Sequence, residues 1–116
     1  MGKLTTHVLD VSHGKPVAGI QLELFLFNEG FKKIYSGITN DDGRTDEPLL
    51  INSEVLTGVY ELTFEIGPYF KLKTEKVGSV PFLDKIPVRF GIDDANQNFH
   101  VPLLVSPFGY STYRGS

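Results

Sequence analysis

The sequence contains no cysteine and no tryptophan, one methionine and three histidines among its 116 residues. Without cysteine there is no disulfide framework, thiolate zinc site or thiol nucleophile, and the redox compartment is left open. Long apolar runs are also missing. None approaches the roughly 20 residues that a membrane-spanning helix needs. Basic charge is in short supply: 11 Lys and Arg against 14 Asp and Glu give a net charge of −3. Gripping nucleic-acid phosphates takes clustered Lys and Arg, so a backbone binder is excluded. The opening Met1-Gly2-Lys3-Leu4-Thr5-Thr6 lacks the apolar core of an export signal. It fits the short myristoylation pattern, but Leu4 onward reads as a strand. The cytoplasm is the expected compartment, and one domain over residues 1–116 the expected organisation.

What is present is a globular composition, 41% hydrophobic and 22% charged, patterned with a period of two, the spacing at which side chains alternate across a sheet. Tyr60, Leu62, Phe64 and Ile66 share one face against Glu61, Thr63 and Glu65. Ile20, Leu22, Leu24 and Leu26 form a second apolar stripe, Ile86, Val88, Phe90 and Ile92 a third, and Phe99, Val101, Leu103 and Val105 a fourth. Turn residues punctuate these runs at His13-Gly14-Lys15-Pro16, Asn28-Glu29-Gly30, Asp41-Asp42-Gly43, Asp93-Asp94-Ala95-Asn96 and Ser106-Pro107-Phe108-Gly109. The pattern predicts about eight strands near 4–11, 20–28, 32–39, 47–51, 58–67, 86–92, 98–106 and 109–114. One short helix fits within 68–77. Short strands separated by turns, without alternating helices, indicate an all-β sandwich.

Histidine is the side chain whose ordinary pKa makes it a neutral-pH base. His100 alternates with the apolar stripe from Phe99 to Val105 and must point away from the core. Alone, an outward histidine on a strand is usually plain surface. His7 shares a face with Thr5, Leu9 and Val11, opposite Leu4, Thr6, Val8 and Asp10. Neither face is cleanly polar, as expected of a strand covered by a partner subunit or of a hydrogen-bonded core histidine. His13 reads as a solvated loop residue. Arg44 follows a turn and precedes Asp46 and Glu47, so it is either half of a local charge pair or a fixed cation for an anionic substrate or oxyanion. The tail from Gly109 to Ser116 is rich in hydrogen-bonding groups to its last residue, where such an end would often fray. Two histidines without a convincing third ligand make a weak zinc case, and no nucleophile elbow, phosphate loop or dinucleotide fingerprint is present. Composition and spacing stop at a β-sandwich with an unexplained His, Arg and Tyr face.

Three segments carry the reading further. They are His7-Val8-Leu9-Asp10 with Gly14, Pro16 and Ala18; Thr39-Asn40-Asp41-Asp42-Gly43-Arg44; and His100-Val101-Pro102-Leu103-Leu104 running on to Tyr113-Arg114-Gly115-Ser116. In order and spacing they resemble the 5-hydroxyisourate hydrolases, the transthyretin-related enzymes of purine breakdown. The terminal Tyr-Arg-Gly-Ser separates these from the hormone-carrying transthyretins. The resemblance implies two four-stranded sheets with one short helix, assembled as a homotetramer with active sites where two dimers meet. It implies hydrolysis of 5-hydroxyisourate to 2-oxo-4-hydroxy-4-carboxy-5-ureidoimidazoline in urate degradation, with no metal or cofactor. It gives His7 and His100 water activation and proton transfer, Arg44 substrate binding and charge stabilisation, Tyr113 a substrate contact, and Ser116, through its terminal carboxylate, completion of the hydrogen-bond network. Phe99 and Phe108 stand where many relatives carry Tyr and Trp, and both keep an aromatic ring. The competing readings are a carrier of a planar aromatic ligand and a β-sandwich interaction module.

Overall fold

A computed structural model describes residues 2–75 and 77–115. The strands are β1 (Lys3–Asp10), β2 (Lys15–Pro16), β3 (Gln21–Phe27), β4 (Phe31–Ile38), β5 (Leu50–Ile51), β6 (Gly58–Glu65), β7 (Lys85–Ile92), β8 (Phe99–Ser106) and β9 (Gly109–Thr112). They form two sheets. One runs β2-β1-β8-β9 with β5 also paired to β1, and the other runs β4-β3-β6-β7. The expectation of two four-stranded sheets holds for the second. The first has five strands: β5 falls within the expected 47–51 strand, and β2, two residues long and too short to show an alternation in sequence, is the addition.

The four apolar stripes face one another between the sheets. Leu22, Leu24, Tyr60, Leu62, Phe64, Ile66, Ile86, Leu103 and Val105 are all essentially inaccessible. Each such side chain contributes about 1.5–3 kcal/mol by leaving water. In β1 the inward residues are Leu4, Thr6, Val8 and Asp10, which turns Thr5 and His7 outward. Its two buried polar groups are satisfied, as burial requires. Thr6 Oγ1 donates to the Val101 carbonyl at 2.7 Å. The Asp10 carboxylate accepts from Ser12, from the His13 backbone N–H at 3.1 Å and ring Nδ1 at 2.7 Å, and from the Tyr69 hydroxyl at 2.7 Å. His13 is therefore exposed but tethered, not simply solvated.

Tyr69 belongs to α1 (Gly67–Lys73), whose start suits Pro68 and whose last turn carries Lys71 and Lys73. The expected 68–77 helix stops at Lys73 because Thr74 turns extended, with φ −150°. Phe70 buries under the sandwich while Tyr69 reaches Asp10, so this helix ties the β1–β2 turn to the opposite sheet. Among the described residues, no helix is long and apolar enough to cross a membrane.

Candidate active site

One pairing creates the site. β1 and β8 run parallel, with Thr5 opposite His100 and His7 opposite Pro102. Local alternation turns His7 and His100 to the outer face, and this register places their ring centroids 6.4 Å apart at an interplanar angle of 43°. Parallel neighbours need a long crossover, so no local signal announces the proximity.

Arg44 arrives from the loop after β4. Asn40 organises the turn: its side-chain oxygen accepts from the Asp42 and Arg44 backbone N–H groups, an Asx arrangement. Gly43 takes φ +75°, and a Cβ there would lie 2.5 Å from the Val8 carbonyl oxygen and 3.1 Å from His7 Cδ2. Only glycine allows both the conformation and the approach. The Val8 N–H then donates to the Gly43 carbonyl at 2.8 Å, docking the loop on β1 beside His7. Arg44 is exposed, and among the described residues it forms no ion pair. The Asp46 carboxylate instead accepts from Asn40 Nδ2 at 3.0 Å. The local charge-pair reading therefore gives way to a free guanidinium next to two imidazoles.

Burial first, then the Arg44 cation, holds the His7 pKa below its ordinary value, against the opposing pull of the Asp42 carbonyl and carboxylate. His100 is lowered by burial, by Arg44 and by His7. Both rings are therefore neutral at pH 7 and able to accept a proton. The Asp42 carbonyl acts on His7 only by favouring its protonated form, against burial and Arg44. His100 Nδ1 is hydrogen-bonded to Thr5 Oγ1 at 2.8 Å.

The tail closes the far side. β9 pairs Thr112 with Leu103, and a further bridge pairs Gly115 with His100, its N–H donating to the His100 carbonyl at 2.7 Å. Tyr113, between Thr112 and the Gly115 bridge, is 60% exposed and borders a hollow shared with Phe99, Val101 and Arg114. The Arg114 guanidinium lies 4.1 Å from the Phe99 ring centroid and donates to Gln97 and the Asn98 carbonyl. The tail is thus held by pairing as far as Gly115, in keeping with its richness in hydrogen-bonding groups. Ser116 lies outside the described residues.

The structure brings His7, Arg44 and His100 together, and the Gly115 bridge ties the tail that carries Tyr113 to His100. Sequence reasoning did not single out Thr5, the Asp42 carbonyl, Gly43 or Gly115 as supports of these groups. The Asp-Asp-Gly turn and the glycine in an otherwise polar tail were the available signals for three of them. The face is open rather than enclosed. A groove of ≈ 190 Å³ bordered by Thr5, Arg44 and Pro48 adjoins it. A larger hollow of ≈ 520 Å³ lies on the other sheet, over Gln21, Glu23, Gly37 and Thr63, and none of the residues lining it is a histidine or arginine. That lining offers no side chain whose ordinary pKa makes it a neutral-pH base.

Residues 4–115 match the HIUase/Transthyretin family. A 5-hydroxyisourate hydrolase from Halalkalibacterium halodurans is 53% identical over 99% of the chain and 98% of that protein. Among solved structures, (S)-allantoin synthase superposes with a TM-score of 0.93 at 45% identity; the match covers 99% of this chain but only 44% of that one. Sea bream transthyretin in complex with thyroxine superposes at 0.85 with 26% identity, covering 97% of this chain and 94% of the other. One fold thus serves differently named proteins, and function must be argued from the site.

Proposed function

The chain belongs to the HIUase/transthyretin family, and from that premise we infer that it hydrolyses 5-hydroxyisourate at the His7, Arg44 and His100 face. The observation that carries the reading is the pair of neutral imidazoles, 6.4 Å apart between ring centroids, beside a guanidinium without a carboxylate partner among the described residues. A carrier of a flat ligand has no use for two poised bases and a free cation.

The reaction opens a cyclic amide. Water oxygen bonds to the ring carbonyl carbon, and one histidine accepts the proton that water loses. The carbonyl becomes an oxyanion, which the Arg44 guanidinium offsets. As the C–N bond breaks, the nitrogen takes a proton from the imidazolium, giving 2-oxo-4-hydroxy-4-carboxy-5-ureidoimidazoline. Positioned acid–base catalysis of this kind contributes about 10²–10⁴-fold. Tyr113 contacts the substrate, and Ser116 completes the hydrogen bonds around it.

The openness of the face supports a homotetramer in which a second copy covers each site where two dimers meet. An exposed catalytic face gains water exclusion and stronger electrostatics once covered. The cytoplasm is the compartment assigned to this reading. The test generates 5-hydroxyisourate from urate with urate oxidase and follows its disappearance spectroscopically. Loss well above the spontaneous rate is expected, and an unchanged rate would overturn the assignment.

A further inference from the structure

We infer that Thr5 is a positioning residue that accepts a hydrogen bond from His100 Nδ1–H and thereby reserves Nε2 for the reacting atoms. The inference rests on the hydrolase reading above. Thr5 sits directly opposite His100 in the parallel register, and its Oγ1 lies 2.8 Å from Nδ1. Among the described residues, this is the one hydrogen bond of the Thr5 hydroxyl. The next residue makes a different choice. Thr6 points inward and donates to the Val101 carbonyl, so the two adjacent threonines serve opposite faces of one strand.

The ring is held along two edges. Thr5 engages the Nδ1 edge, while Gly115 covers the Cδ2 edge so closely that a Cβ there would lie 2.7 Å from Cδ2. Turning the imidazole over would bring Cδ2 to the threonine hydroxyl and Nδ1 to the Gly115 α-carbon, losing the hydrogen bond. The open corner of the ring is Nε2. Threonine is stiff at χ1 on a strand, which holds the hydroxyl in place.

The hydroxyl also suits the proton cycle. When His100 accepts a proton at Nε2, Nδ1 keeps its own, so the Nδ1–H bond to Thr5 persists through both states. Which nitrogen of an imidazole carries the proton is set by the bond that the other makes. Without an acceptor at Nδ1, the proton shifts to Nε2 and blocks the nitrogen that must act as base.

Thr5→Val keeps the shape and strand preference and removes the hydroxyl, while Thr5→Ser keeps the hydroxyl. In the full-length protein labelled with ¹⁵N-histidine, NMR of the wild type should show His100 protonated at Nδ1. Thr5→Val should move that proton wholly or partly to Nε2. Its kcat should fall about tenfold with KM held within about twofold, the scale of one lost neutral hydrogen bond. Thr5→Ser should restore both signatures. Thr5→Ala provides a second hydroxyl-free variant if Val prevents folding. An unchanged tautomer in the hydroxyl-free variants, or a Ser variant that restores nothing, overturns the role of Thr5. A wild type that leaves 5-hydroxyisourate untouched sinks the hydrolase reading instead, and the tautomer still decides on Thr5.

Discussion

Gly115 lies so close to His100 that the missing Cβ would fall 2.7 Å from ring atom Cδ2 and 3.0 Å from the His100 Cβ. The contact is steric, and alanine fits only by moving the ring or the tail. Displacing a catalytic group by about 1 Å can cost about 100-fold in rate. Gly115→Ala should lower kcat at least about tenfold while the thermal midpoint moves by no more than about 2 °C. An alanine variant with wild-type kcat would show that the tail does not hold His100.

Replacing His7 or His100 with alanine should each slow turnover by about 100-fold or more, with the circular dichroism spectrum preserved, because both rings are on the outer face. Because groups that act as a unit are not additive, the double variant should lose little beyond the worse single one. Unchanged kinetics in either single variant would remove that residue from the mechanism.

The pH profile should show an acidic limb displaced below the ordinary histidine range. Burial and Arg44 lower both pKa values, so the neutral bases survive to more acidic pH than a free imidazole near 6.5 would. Replacing Arg44 with glutamine should move that limb back toward higher pH. Stability follows the same linkage. The unfolded chain takes up the protons first, so the histidine contribution is complete above about 6.5 and declines as pH falls from there to the folded values. A kcat/KM profile flat from pH 5 to 8 that also failed to fall further into acid would contradict a histidine base.

Asp10 is a structural hub, with Ser12, His13 and Tyr69 converging on one buried carboxylate. Burial pushes its pKa up, but the hydrogen bonds from Ser12, Tyr69 and His13 together outweigh that and leave it below the ordinary value. Its stabilisation is therefore present above the unfolded pKa near 3.9 and is lost as pH falls through the lower folded value. Asp10→Ala should cost about 3 kcal/mol in urea unfolding at pH 7. A cost under about 1 kcal/mol would mean that the Ser12, His13 and Tyr69 donors re-solvate freely.

Assembly should govern activity. If a second copy covers each site, specific activity should fall on dilution in step with the tetramer fraction seen by analytical ultracentrifugation. Full specific activity in a purely monomeric sample would refute a shared cavity.

Strand faces were legible because pleating is local: each apolar stripe names its own inward side, and His100 follows from Phe99 and Val101. The bulk of the sandwich rests on the same reasoning, whereas the His7 strand, with no cleanly polar face, left the direction of His7 open. Strand ends were less legible. β9 closes at Thr112 rather than 114, yet the β8–β9 hairpin register resumes at Gly115, a break and return that local alternation does not show.

The sequence by itself determined which side chains leave the core and which residue types, at which spacing, resemble a known family. Only the tertiary structure decided that residues 95 apart share a hydrogen bond, as Thr5 and His100 do. Only there does Arg44 lose its apparent acidic partners and stand beside two imidazoles. The physical reason is the difference in range. Alternation is written into neighbouring dihedral angles, whereas strand register and loop docking are set by packing between distant segments.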